Sequence, residues 1–201
     1  MYEAAKTKRA DAWAHIEDLE LARSGDEFRR RFNAAATAIR SVPYAISTDG
    51  KRFFRAHDRS RVRPFSDWLE SKRVEVRDDE LLGWVVKLRN ADIHEGTTVL
   101  QFSTEIARLE VGSDDPDRPP GASVVIDPHG PYWLVNAGTK RERRIPIERD
   151  GFATFARLSA PPQSHLGSPV TASDPVSVLK VASEYFAEMC DQACTQFPMG
   201  L

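Results

Sequence analysis

The sequence predicts a mainly α protein of the α+β class, a four-helix bundle carrying an inserted small antiparallel β-meander. Three observations lead there. Apolar residues recur at helical spacing in three main stretches between about Ala4 and His94. Between 97 and 158 the period shortens towards two, and a last helical stretch follows at 174–197. That stretch is too apolar on one side to stand alone, so it must return to the first three helices. The chain reads as a single domain with a helical core at 1–96 and 174–197, a β insertion at 97–158 and an irregular connector at 159–173.

The elements follow in order. Trp13, Ile16 and Leu19 define a first helix over about Ala4 to Arg23. Ser24-Gly25-Asp26 breaks it, and Ser24 or Asp26 caps the next. Phe28, Phe32, Ala35, Ala36, Ile39 and Val42 form one stripe of a second helix, which Pro43 is expected to end or kink. The short link makes these two an antiparallel hairpin. From Ser47 to Arg77 the pattern loosens, with Lys51, Arg52, Arg55, Arg59, Arg61 and Arg63 clustered around Phe53 and Phe54. Pro64 to Leu69 reads as a short helix returning aromatics to the core. Asp78-Asp79-Glu80 then sets negative charge at the start of a third main helix, where it suits the helix dipole.

After Thr97, Leu100, Phe102, Thr104 and Ile106 alternate as a strand, with a register slip at Ala107–Leu109. Ser123–Ile126 and Tyr132–Val135 flank a turn at Asp127–Gly130 as a hairpin. Arg143–Ile147 is an edge strand because Pro146 lacks an N–H, and Phe152–Leu158 is a further strand. Ser173-Asp174-Pro175 starts the final helix, which Pro198 ends. Its inner face is Leu179, Ala182, Phe186, Met189, Cys190, Ala193 and Phe197.

Composition narrows the function classes. A chain of 201 residues, 41% hydrophobic and 29% charged, has material for a core and a soluble surface. A net charge of −2 gives no global field for polyanions, so only local clusters bear on nucleic acid. The N-terminal stretch lacks the apolar centre of a signal peptide, and no apolar run reaches membrane-spanning length. A cytoplasmic location is the expectation. The two cysteines, Cys190 and Cys194, share one helix face and read as free thiols. His15, His57, His129 and His165 have no ligand-like spacing, so neither metal nor cofactor is expected. No phosphate-binding glycine loop or nucleophile elbow is present.

One stretch gathers groups suited to chemistry. Leu88-Arg89-Asn90-Ala91-Asp92-Ile93-His94-Glu95-Gly96 closes the third main helix at a glycine. Arginine offers a permanent planar charge matched to phosphate, and histidine exchanges a proton near neutrality. Asn90 and His94, four apart, are neighbours on a helix face. On these residues alone, an arginine and a histidine in a last turn also serve commonly as dipole partners. Lys51, Arg52 and Arg55, with Arg29–Arg31 and Lys140–Arg144, are candidates for tracking an RNA backbone. Solvated surface is the alternative, and the near-neutral charge of the chain favours it.

Arg89-Asn90-Ala91-Asp92-Ile93-His94, ending an amphipathic helix, resembles the signature of the HEPN superfamily: an arginine, a polar residue and a histidine after a gap of four to six. The resemblance covers residues 1–96 and 174–197, and the β insertion departs from the minimal family bundle. The segment Pro161–Gly167 is similar to a recurring feature of bacterial relatives. The resemblance implies a homodimer whose paired motifs form a cleft for metal-independent RNA cleavage, in toxin–antitoxin or defence settings. It implies His94 in acid–base chemistry, Arg89 stabilising charge on the phosphate, and Asn90 orienting the phosphate or His94. Other family members are non-catalytic modules that bind RNA or a protein partner such as an antitoxin.

Overall fold

The computed structural model describes residues 2–22, 24–90, 99–106, 115–128, 130–147 and 152–199. Five α-helices and three small antiparallel sheets occur among them, a mainly α arrangement of the α+β class. The helices are α1 (Glu3–Glu20), α2 (Gly25–His57), α3 (Val62–Asp78), α4 (Glu80–Asn90) and α5 (Pro175–Gln196).

Helix α1 packs antiparallel to α2, and two contacts fix the sense. Arg31, early in α2, donates to the carbonyl of Asp18 at the end of α1. Ala4 N, at the start of α1, donates to Asp49 Oδ2 far along α2 at 3.1 Å. Ser24 is the cap of α2, its Oγ accepting from Glu27 N. Helix α5 is antiparallel to α1 by the same logic. Lys180 pairs with Glu20 at 2.6 Å, Arg9 with Asp191 at 3.1 Å, and Tyr2 Oη donates to Phe197 O at 3.2 Å. Asp174 caps α5 by accepting from Ser177 N, with Pro175 in the first turn.

Of the two outcomes expected at Pro43, an end to helix α2 does not occur. Its 33 residues continue to His57. An interior proline forfeits the bond to the carbonyl four residues back and costs about 3 kcal/mol. Ile39, Val42 and Ile46, on either side, are almost wholly buried. Each such side chain contributes about 1.5–3 kcal/mol, so together they outweigh the defect. The basic segment after Ser47 is therefore helical rather than loose. A 3₁₀ turn at Arg59–Arg61 leads into α3, a helix of 17 residues where only Pro64–Leu69 was expected.

The return of α3 over α2 rests on one close approach. A methyl group built on Gly50 would stand 2.1 Å from Phe65 Cζ. The Phe65 ring thus lies directly on the α2 backbone, fully buried, with Phe54, Trp68, Phe197 and Tyr2 around it. This aromatic cluster binds the two ends of the described chain, the end of α2 and the start of α3 into one core.

The β region is two sheets, not one meander. Strand β1 (Leu100–Ile106) pairs antiparallel with β5 (Phe152–Leu158), from Leu100 opposite Leu158 to Ile106 opposite Phe152. Inserted between them, β2 (Ser123–Asp127), β3 (Gly130–Val135) and β4 (Arg143–Pro146) form a three-stranded sheet in that order. Strand β4 is at the edge, as Pro146 requires. Trp133, Ala122, Val135 and Ile147 make a small cluster of their own beneath that sheet. Leu100 and Leu158 belong to the helical core instead. The expected register slip at Ala107–Leu109 and the turn residue His129 lie outside the described residues.

The connector is not wholly irregular: β6 (Ser164–His165) and β7 (Ser168–Pro169) form a minimal hairpin, with Leu166 and Gly167 at positive φ in its turn. No helix among the described residues is long and apolar enough to cross a membrane. Both cysteines are free, and burial pushes the Cys190 thiol up to about 11.

Gly50→Ala tests the close approach. Helix propensity alone would favour alanine by about 1 kcal/mol. Overpacking against Phe65 costs about 1–3 kcal/mol, and at this separation the upper part of that range applies. Urea unfolding is expected to show a net loss of about 2 kcal/mol, with Gly50→Ser at least as damaging.

Candidate functional site

Helix α4 carries the first two residues of the sequence motif. Leu81, Leu82, Val85 and Leu88 are buried, and the helix packs against α2, α3 and α5. At the end of α3, a methyl group built on Gly83 would stand 3.4 Å from Arg77 O, an ordinary contact. Arg89 and Asn90 are the last two residues of α4. Their side chains, and all of His94, lie outside the described residues.

Lys51, Arg52 and Arg55 stand together on the second half of α2. With Ser47, Thr48 and Ala56 they line an open depression of about 540 Å³. Every lining residue comes from one helix, so this is a shallow trough and not an enclosed pocket. No ion pair holds any of the three cations among the described residues, unlike Arg61, which pairs with Asp58 at 3.6 Å, and Arg63, which lies 3.9 Å from Asp67. Phe54 is a core residue, and Phe53 packs beside it with its ring stacked on His57 at 4.6 Å.

Three cations of the other expected basic runs are engaged. Arg29 lies over the Phe102 ring at 5.5 Å, and Arg31 pairs with Glu27 at 2.6 Å. On the meander, Arg144 lies over Tyr132 at 5.1 Å and 3.7 Å from Asp127.

At the opposite end of α4 the structure assembles a cluster that residue spacing did not reveal. Asp79 caps α4, accepting from Leu82 N at 2.7 Å. The same carboxylate accepts from Leu166 N at 2.6 Å and faces His165 Nδ1 at 3.2 Å, with its side chain only 5% exposed. Glu80 accepts from Ser164 Oγ at 2.8 Å. The His165 ring meets Tyr185 of α5 edge-on at 5.9 Å. The Tyr185 hydroxyl is buried near the Glu75 carboxylate without meeting hydrogen-bond geometry. Burial first, and Glu75 second, hold it in the phenol form.

Burial alone would raise the Asp79 carboxyl. The N–H groups of Leu166 and Leu82 and the His165 ring prevail, and it titrates below the ordinary aspartate value. Glu80 is likewise held low, chiefly by the N–H of Gln163 and the hydroxyl of Ser164. A carboxylate saturated by donors is a poor base, so this cluster reads as a latch pinning the β6–β7 hairpin to α4. The sequence carried half of its signal in the acidic start of α4. Nothing local joined Asp79 to His165, 86 residues away.

Comparison with protein-family models, curated proteins and solved structures gives no match to this chain. Among the described residues no group of three or more His, Cys, Asp or Glu side chains converges to hold a metal ion.

Asp79→Ala removes a cap worth about 1 kcal/mol and orphans two further donors at about 1 kcal/mol each. A loss of about 2–3 kcal/mol is expected in urea unfolding at pH 7. The folded-state value is depressed, so the contribution is complete above the unfolded value near 3.8 and disappears as pH falls through the lower folded value. The stability gap between parent and variant should therefore begin to narrow below about pH 4 and go on narrowing as the pH falls further.

Proposed function

We propose that the chain is a HEPN-like protein that cleaves RNA as a metal-independent endoribonuclease, with Arg89, Asn90 and His94 as its reacting groups. The observation that carries the reading is that Arg89 and Asn90 are the last residues of α4, whose apolar residues are locked into the helical core. A helix anchored in this way presents its terminal residues on a rigid support, which is what a reacting geometry needs. Lys51, Arg52 and Arg55, with no ion pair among the described residues, give the chain a means of holding phosphates.

In this reading His94 takes the proton of a ribose 2′-hydroxyl, whose oxygen attacks the adjacent phosphorus. The bond from phosphorus to the 5′-oxygen breaks, and that oxygen leaves protonated. Arg89 offsets the charge gathering on the phosphate oxygens, and Asn90 orients the phosphate or the imidazole. The products are a cyclic phosphate and a 5′-hydroxyl, with no redox partner or metal in the balance. A homodimer would bring two motifs to one cleft.

A second reading is favoured by a separate observation. The β2–β3–β4 sheet has its own small core and leaves Ile126 46% exposed. A non-catalytic module of the same fold would use that sheet to hold a protein partner, such as an antitoxin, or RNA.

The deciding assay incubates purified protein with mixed RNA in EDTA beside His94→Ala and Arg89→Ala. Each substitution should lower cleavage about 100-fold or more. Equal cleavage by all three proteins sinks the catalytic assignment. No cleavage, together with a stable complex that Ile126→Asp abolishes, supports the second reading.

A further inference from the structure

The solvent face of α2 is free of acid for most of its length. Asp49 is the only carboxylate between Arg30 and Arg55, and it accepts from Ala4 N instead of facing solvent cations. At 3.6 residues per turn, Arg30, Tyr44, Thr48, Lys51, Arg52 and Arg55 fall within one sector of the helix. All are exposed except Lys51, which is half-buried. The strip spans about 38 Å at 1.5 Å per residue.

Tyr44 stands in the middle of it. At 76% exposure it is the most exposed large hydrophobic side chain among the described residues. Its own backbone is committed to the helix, with the Thr48 hydroxyl donating to its carbonyl at 3.0 Å. Arg30 precedes it, and the trough lined by Lys51, Arg52 and Arg55 follows. None of these four cations is ion-paired among the described residues, so their charge is available to an outside anion.

We propose that this face of α2 is a docking track for single-stranded RNA, in which Tyr44 stacks on a base and Lys51, Arg52 and Arg55 follow the phosphates. The choice of RNA rests on the RNA-directed reading above; the preference for a single strand rests on Tyr44. A duplex offers phosphates but keeps its base faces stacked inside, leaving an exposed ring in the middle of the track without a partner. An unpaired strand offers both at once. A second copy of the chain is a poor occupant, because a two-fold interface would set this strip against itself and oppose like charges.

The test measures fluorescence anisotropy with the full chain carrying His94→Ala, so that cleavage does not enter. The probes are a labelled 12-nucleotide single strand, the corresponding duplex, and heparin as a polyanion without bases. Tyr44→Ala should weaken single-strand binding about tenfold and leave its salt dependence unchanged, while Tyr44→Phe stays near the parent. Each phosphate neutralised on a single strand adds roughly 0.7 to the log–log salt slope, so replacing Lys51, Arg52 and Arg55 by Gln should flatten it by about 2. Tyr44, Arg52 and Arg55 are exposed and Lys51 is half-buried, so none of the four substitutions removes a core side chain.

Unchanged binding by Tyr44→Ala, or duplex or heparin binding as tight as the single strand, overturns the proposal. A change in oligomeric state caused by Tyr44→Ala also overturns it, assigning the face to a second copy. Tyr44-dependent binding by a chain that never cleaves RNA leaves the track standing and removes the ribonuclease. Motif-dependent cleavage that ignores Tyr44 does the reverse.

Discussion

The contact between the Phe65 ring and the bare backbone at Gly50 is the constraint on which the rest of the arrangement depends. It sets how closely α3 lies on α2, and hence where α3 delivers Asp79 and the start of α4. The same ring is the hub around which Tyr2, Phe54, Trp68 and Phe197 gather. Dense packing of this kind transmits small displacements, because an interior at crystal-like density has no slack to absorb them. A shift at Gly50 would therefore be felt at α4, whose last two residues are Arg89 and Asn90.

Helix α4 is held at three places by different physics. Its apolar face is buried between α2, α3 and α5, its N-terminus is capped by Asp79, and the hairpin at 164–169 is hydrogen-bonded across that cap. Asp79 satisfies a helix cap and a distant turn with one carboxylate. It thus couples the connector before α5 to the helix bearing Arg89 and Asn90. The latch and the proposed catalytic end lie at opposite termini of the same eleven-residue helix. Rigidity at one end is a reasonable support for geometry at the other.

Charge is distributed unevenly in a way that the net value conceals. Most arginines with a nearby acid or ring are engaged, at Arg29, Arg31, Arg61 and Arg144. Along the solvent face of α2, Arg30, Lys51, Arg52 and Arg55 have no ion pair among the described residues. Such a strip of cations on a near-neutral protein produces a local field without making the molecule indiscriminately sticky towards polyanions. The proposed reading of RNA as ligand draws on that contrast.

Much of the fold was legible because its signals are local. Helical periodicity identified α1, the first half of α2, α4 and α5, and the caps at Ser24 and Asp174 marked two starts. Alternation and Pro146 gave the strands and the edge position of β4. The continuation of α2 through Pro43 was not legible, because the burial that offsets a missing hydrogen bond comes from other helices. The division of the strands into two sheets was hidden likewise, since β1 finds β5 only after the meander between them has been passed. Of the candidate site, the residue types at 89, 90 and 94 were plain in the sequence, as was the basic character of 51–55. That the latter lies on one solvent-facing side of a helix, with Tyr44 exposed beside it, was decided by which side of α2 the other helices covered. The Asp79–His165 latch also belongs wholly to tertiary structure. Sequence spacing carries information over a few turns of helix, whereas an interaction between residues 86 apart exists only once the core has closed.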